Sequence, residues 1–457
     1  MNVVIINSPL FKDRNDLYDE DSLPPIGLGY IATNLQANNI PVKLIDAVDQ
    51  RIPLNDLIRN LNISKPDFIA SNIFTTNYDL VKELIESLTF NTHIIIGGLS
   101  TKQLYNKIVD WNTCNHIDIV TGDGELITLA IVQDNVTEAA FMNYENRRVF
   151  KIDVNSKYLV KDISDVRLNR KLFKNEPVPH ALGFIEGNIV TSRGCIYNCT
   201  FCAAARSLNG DYPIREKSED SIIRELTEIQ TEFPSVTSIR VLDDLFLKTN
   251  ATVQKAINVF SNFNFQWRSM AHVMTFQNVD EGIMKSLKES GCHELFIGIE
   301  SGSPRILGMI KKTKNVDVIL NNLTKVLKAG INIKGYFIYG FPEETQEDME
   351  MTFNLANELK RLSLIYGVNF RTSVFQYRPY HGTQIYHDLE VKGANLEVVQ
   401  IAPNQALSSL VGRLQFNFHN GNHSAVDIQT VHDYIYRTIN LNGDQIFSGL
   451  KSNIKPL

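Results

Sequence analysis

The sequence predicts an α/β chain built from two unlike parallel-sheet domains: a doubly wound, Rossmann-like domain, then a partial barrel of six strands. Three features predict it. Val/Ile-rich runs at residues 3–7, 42–46, 68–72, 94–97 and 117–120 alternate with helical-period stretches, the pattern of a sheet covered on both faces. A second alternation begins at Ile189, with strands expected at 189–191, 238–242, 266–271, 294–299, 332–338 and 369–375. Six repeats over about 190 residues are too few for an eight-fold barrel, which takes ~250. Between the two series lies a stretch of different character, 136–186, with a short hairpin and Pro177 and Pro179. The expected division is 1–135, a linker 136–186, a barrel 187–390 and a helical C-terminal cap 391–457.

Composition narrows the function classes. A 457-residue chain with 43% apolar and 21% charged residues is ordinary for a globular protein. A net charge of −6 offers no basic field for phosphate backbones, so nucleic acid is not expected as a partner. The basic run Lys311-Lys-Thr-Lys314 reads as a solvated helix end. Met1-Asn-Val-Val-Ile-Ile reads directly as a strand, with no leader and no membrane-length apolar run. Five cysteines, three of them grouped, indicate a reducing cytoplasm.

That group is Cys195, Cys199 and Cys202, spaced C-x3-C-x2-C just after the expected first barrel strand. Three thiolates on one short loop can converge on an iron–sulfur cube and leave one iron without a protein ligand. Buried thiols or a zinc knuckle are the alternatives, but zinc wants a nearby fourth ligand and the next His downstream is His272. With aromatic Phe201 before the last cysteine, the motif resembles that of the radical S-adenosylmethionine (SAM) superfamily. The N-terminal part resembles the cobalamin-binding domain carried by one branch of it, through Pro24-Pro-Ile-Gly-Leu-Gly-Tyr30, Ser71-x-Ile73, Gly97-Gly98 and Gly122-Asp-Gly-Glu125.

The carboxyl ends of the strands should carry the chemistry. Asp243-Asp244 ends the second barrel strand; such a pair can hold a cation, act as acid and base, or accept from an ammonium. The resemblance implies a 4Fe-4S cluster on the three cysteines. It also implies SAM contacts at Phe201, Asp243, Asp244, Arg268, Glu300, Gly340 and Arg371. Asp243 or Asp244 would take the methionine amino group, Glu300 ribose hydroxyls or the methionine end, and Gly340 the adenine. Tyr377, Arg378 and His272 are candidate catalytic residues, although a lone His at a strand end is more often structural.

For cobalamin the resemblance implies Ser8, Ser71, Ile73, Gly97, Gly98, Gly122, Asp123, Gly124 and Glu125. The D-x-H-x-x-G segment of His-ligated domains is missing after the first strand. Bound cobalamin is therefore expected base-off with no His ligand, its cobalt facing the 9–23 loop near Lys12, Arg14 or Tyr18. The alternative is a domain that has lost its cofactor. The implied activity is reductive SAM cleavage to a 5′-deoxyadenosyl radical and methylation of carbon or phosphorus in a small molecule. An external electron donor such as flavodoxin or ferredoxin is expected. Ring formation or rearrangement with the same cofactors, and a non-catalytic sensor, are the rivals. A tRNA methylthiotransferase would need a second cysteine trio, and the N-terminal domain has only Cys114.

Overall fold

A computed structural model of the chain describes residues 1–12, 23–174, 176–179, 183–400 and 418–443. The first domain runs β1 (Val3–Asn7), α1 (Ile26–Ala37), β2 (Val42–Asp46), α2 (Leu54–Ser64), β3 (Phe68–Asn72) and α3 (Tyr78–Glu86). It continues with β4 (His93–Gly97), α4 (Thr101–Ile108), β5 (His116–Gly122) and α5 (Glu125–Val132). The hairpin β6 (Met142–Tyr144) and β7 (Arg147–Ile152) follows. Sheet order is β2-β1-β3-β4-β5-β7-β6, with β1 to β5 and β7 parallel. The continuous apolar runs arise because both faces are covered. Val3, Ile5, Ala70, Ile95 and Val120 enter one core, and Val4, Ile6, Ile69, Ile94, Ile96 and Ile119 the other. The strand order reverses between β1 and β3, the switch point beyond whose carboxyl ends open sheets of this kind bind ligands. The hairpin expected in the linker extends this first sheet.

The second sheet is formed by β8 (Val178–Pro179) and β9 (Ile185–Ile189), then, after the small ladder β10 (Ser192–Arg193) and β11 (Arg215–Glu216), by five further strands. These alternate with helices: α6 (Glu219–Glu232), β12 (Ser238–Val241), α7 (Asn250–Phe260), β13 (Gln266–Ala271), α8 (Glu281–Glu289) and β14 (Cys292–Glu300). After α9 (Pro304–Met309) and α10 (Val316–Lys328) come β15 (Asn332–Tyr339), α11 (Gln346–Ile365), β16 (Phe370–Gln376) and α12 (Gln384–Val391). The order β16-β15-β14-β13-β12-β9-β8 contains six parallel strands, a curled half-barrel, with β8 antiparallel at its edge.

The first barrel strand starts four residues earlier than expected. Its polar residues hid it: Glu186 pairs inside the barrel with Arg268, and Asn188 with Glu176. In the tail, α13 (Ile428–Asn440) does not cover the barrel mouth. It packs along β16 and α11, burying Val431, Tyr434 and Ile435, in the place of a sixth outer helix. Residues 401–417 and 444–457 of the expected cap lie outside the described residues. No helix among the described residues is long and apolar enough to cross a membrane.

Candidate active site

From β9 the chain turns through Thr191 and Ser192 into the cysteine loop, and Asp243 fixes that turn. Its carboxylate accepts the Thr191 N–H and hydroxyl, each at 2.6 Å, and the Ser192 hydroxyl at 2.7 Å. Asp243 is 3% exposed, so its expected SAM contact is corrected: it anchors the root of the loop. Asp244 is exposed, accepts the Gly194 N–H at 3.1 Å and acts electrostatically on Cys195 and Cys202.

All three loop cysteines are free thiols. They bear on one another: Cys199 feels Cys195, and Cys202 feels both. Burial pushes each thiol up, Cys202 to about 12. A thiol kept neutral by burial ionises when a metal replaces its proton. Three free thiols on one loop, near enough to act on one another, fit an iron–sulfur cluster held by Cys195, Cys199 and Cys202.

Lys312 is the residue that sequence reasoning missed. It is not part of a solvated helix end: its side chain is 6% exposed, and its ammonium donates to the Gly298 carbonyl at 2.6 Å and Glu300 Oε1 at 3.0 Å. From there it acts on Cys199 and Cys202, and the facing negative groups hold its pKa above the lysine range. Glu300 has φ +66°, and the β14/β15 register shifts between Gly298 and Glu300. A bulge with left-handed backbone re-aims a side chain, here toward Lys312 and Cys199. Nothing in the local sequence signals that bend.

His272 caps the turn after β13, its Nδ1 accepting the Met274 N–H at 3.2 Å, and stacks on Tyr197 of the cysteine loop at 3.7 Å. Burial lowers its pKa to about 3, so the ring is neutral. Gly340 takes φ +87° at the end of β15, where its N–H and that of Phe341 donate to buried Glu344 at 2.6 and 3.0 Å. Phe341 sits between Phe201, at 5.7 Å, and Tyr377, at 4.9 Å. The Tyr377 hydroxyl is buried without a hydrogen-bond partner among the described residues. Arg378 is corrected from a catalytic candidate to a strap. It donates to the Phe418 carbonyl at 2.6 Å and the Gln376 carbonyl at 3.2 Å, holding the tail on β16.

Arg268 and Arg371 are also corrected. Both sit near the amino ends of their strands, opposite the cysteine loop. Arg268 forks onto Glu186 at 2.5 and 2.8 Å, and Arg371 onto Glu294 at 2.6 and 2.7 Å. The two arginines depress Glu294 to about 2.

In the first domain, the loops after β3 and β4 interlock at the crevice. The Ile73 N–H donates to the Gly97 carbonyl at 2.8 Å, and Gly98, at φ +107°, has room for no Cβ, which would lie 2.7 Å from the Ile73 N and O. At Gly97 the nearest atom to an added Cβ is 4.0 Å away. Phe74 and Leu99 stand exposed beside these loops. Ser8 and Ser71 are buried and engaged in the protein: Ser8 Oγ accepts from Asn77 at 2.8 Å and Ser71 Oγ donates to the Ile6 carbonyl at 3.0 Å. The segment 122–125 is corrected more strongly. A Cβ at Gly122 would lie 2.4 Å from the Ile152 carbonyl, one at Gly124 2.6 Å from Ile31, and Asp123 and Glu125 pair with arginines of the second domain. Lys12 pairs with Glu83 at 2.7 Å, and Arg14 and Tyr18 lie outside the described residues.

The carboxyl ends of both sheets meet. Thr75, after β3, lies 3.1 Å from His381, after β16, and the Tyr212 hydroxyl of the cysteine loop donates to Thr121 of β5 at 3.3 Å.

Residues 189–356 match the Radical SAM superfamily and residues 20–132 the B12 binding domain. An uncharacterized methyltransferase of Pyrococcus horikoshii, PH0819, is 28% identical over 382 residues, 79% of this chain and 78% of that protein. Among solved structures, the cobalamin-dependent S-adenosylmethionine radical enzyme OxsB with aqua-cobalamin bound has a similar fold, at TM-score 0.65 and 15% identity. That match covers 95% of this chain and 66% of OxsB, so the chain spans a little under two thirds of that enzyme. The radical S-adenosylmethionine methyltransferase TsrM of Kitasatospora setae, with tryptophan and a SAM analogue bound, gives TM-score 0.65 at 14% identity, over 97% of this chain and 89% of TsrM.

Proposed function

From the premise that this chain belongs to the radical SAM enzymes that carry a cobalamin-binding domain, we propose that it methylates a carbon, or a phosphorus, of a small-molecule substrate. The observation that carries the reading is the meeting of the two sheets' carboxyl ends, which brings the cysteine loop against the strand ends of the first domain. When bound there, cluster and SAM supply a 5′-deoxyadenosyl radical, and cobalamin supplies the methyl group.

The chain's own residues bind and orient. Cys195, Cys199 and Cys202 hold the cluster. Asp244 accepts from the methionine ammonium of SAM, a charge-assisted bond. The Glu300–Lys312 pair fixes charge beside Cys199 and Cys202. The backbone at Gly340 lies along the adenine, with Phe201 and Phe341 behind it. Gly97, Gly98 and Ile73 line the cobalamin crevice, where Phe74 and Leu99 offer apolar surface to a large planar ligand. The segment 8–18 after the first strand contains no His, so the chain would offer no histidine there to a bound cobalamin, and an external donor such as flavodoxin or ferredoxin would be needed to supply the electron.

The test is anaerobic reconstitution with cobalamin, SAM and a reductant, followed by product analysis with candidate substrates. S-adenosylhomocysteine should appear beside 5′-deoxyadenosine; 5′-deoxyadenosine alone, with a substrate consumed, would sink methyl transfer. Cys199→Ala should abolish both products and leave cobalamin uptake intact.

A further inference from the structure

The loop 194–214 that carries the cysteines is closed at its base by the ladder β10/β11, whose register sets Arg193 directly opposite Arg215. Like charges facing each other across antiparallel strands repel. Within the ladder, then, the base of the loop is pushed apart. The opposing charge comes from the other domain. Asp123 lies between the two arginines: its Oδ1 is 3.2 Å from Arg193 Nη1 and accepts from Arg215 Nη2 at 3.1 Å. Its Oδ2 accepts from Arg215 Nη1 and from the Val160 N–H at 3.3 Å. Glu125 takes the second Arg193 nitrogen. Asp123 and Glu125 side chains are 9% and 8% exposed, so water screens these pairs weakly. The ring of Tyr30 is flanked by Arg193 at 5.6 Å and Lys217 at 5.7 Å, so the Pro24–Tyr30 motif closes the same contact.

We propose that Asp123 and Glu125 are positioning residues for the cysteine loop: the first domain lends two carboxylates that hold Arg193 and Arg215 together, and only then does the loop present its three sulfurs as a ligand set. The inference rests on the cluster reading above. Removing the carboxylates leaves a buried guanidinium, Arg215, facing a half-buried one, Arg193, an unfavourable arrangement.

The experiment compares the full-length wild-type chain with Asp123→Asn/Glu125→Gln after anaerobic reconstitution. It measures iron and sulfide per chain, the electron paramagnetic resonance spectrum of the reduced cluster, cobalamin uptake by absorbance, and folding by circular dichroism. The double variant should need roughly tenfold more iron to fill and show an altered cluster spectrum, with fold and cobalamin uptake unchanged. If it does not fold, adding Arg193→Met or Arg193→Lys to it decides: methionine, which removes one of the two facing charges, should restore folding and iron loading, whereas lysine, which keeps that charge, should not. Normal iron loading in the double variant, or the same behaviour with methionine as with lysine added at 193, overturns the proposal. So does lost cobalamin uptake with an intact cluster, which would return 122–125 to the cobalamin site. A wild-type chain that takes up no iron would instead bring down the cluster reading itself.

Discussion

Asp243 and Asp244 are neighbours with opposite duties. Asp243 holds three donors at the loop root, whereas Asp244 opens toward the sulfurs. Asp243→Ala should cost roughly 2–3 kcal/mol in a urea titration, because three donors lose a buried acceptor. Asp244→Asn should leave that titration alone and weaken SAM binding by calorimetry; the reverse pattern would exchange the two assignments. Glu344 makes a pH-dependent prediction. Burial raises its carboxyl from the ordinary 4.5 to about 8. The folded chain therefore keeps a proton that the unfolded chain releases above that lower value. Its contribution is whole at acid pH and is lost as pH rises through about 8, at about 1.4 kcal/mol per pH unit. Glu344→Gln should flatten the dependence of Tm on pH between ~5 and ~8. An unchanged slope in that variant rejects the assignment.

At the scale of elements, the barrel separates its two ends by chemistry. Carboxyl ends carry the cysteines, Asp244, Glu300 and Gly340. Nearer the amino ends, Glu186 of β9, Arg268 of β13, Glu294 of β14 and Arg371 of β16 interlock as buried ion pairs. Arg268→Met would strand Glu186 in the interior, while Glu294 keeps Arg371, and should destabilise the fold by about 3–5 kcal/mol. In whatever fraction folds, SAM affinity should match the wild type. A selective loss of SAM affinity at full stability would restore Arg268 to the cofactor site. The same ion pairs explain the misplaced first strand. Polar residues inside a barrel break the apolar run by which a buried strand is recognised.

At the scale of the whole molecule, the two sheets are joined by buried and half-buried charge. Arg193 and Arg215 reach Asp123 and Glu125, and Lys102 bonds Asp211 at 2.5 Å. Domains joined in this way should unfold together. Differential scanning calorimetry of the apo-protein should give one transition, and two separate ones would mean that the latch contributes little to stability.

What the sequence by itself determined is what short-range pattern can encode. Both strand–helix alternations, the six-fold count of the second and the cysteine spacing are set by neighbours a few residues apart. What only the tertiary structure decided is who pairs with whom across large separations. Arg268 and Asp243 sit in motifs that resemble cofactor contacts, yet partners 82 and 52 residues away engage them inside the protein. Lys312 looks like surface and is buried, because a bulge at Glu300 turns a carboxylate to meet it. Gly122–Glu125 looks like a ligand loop and is a joint between domains. A charged side chain carries no mark in the sequence of whether water, a ligand or another residue will neutralise it. The fold alone supplies that answer.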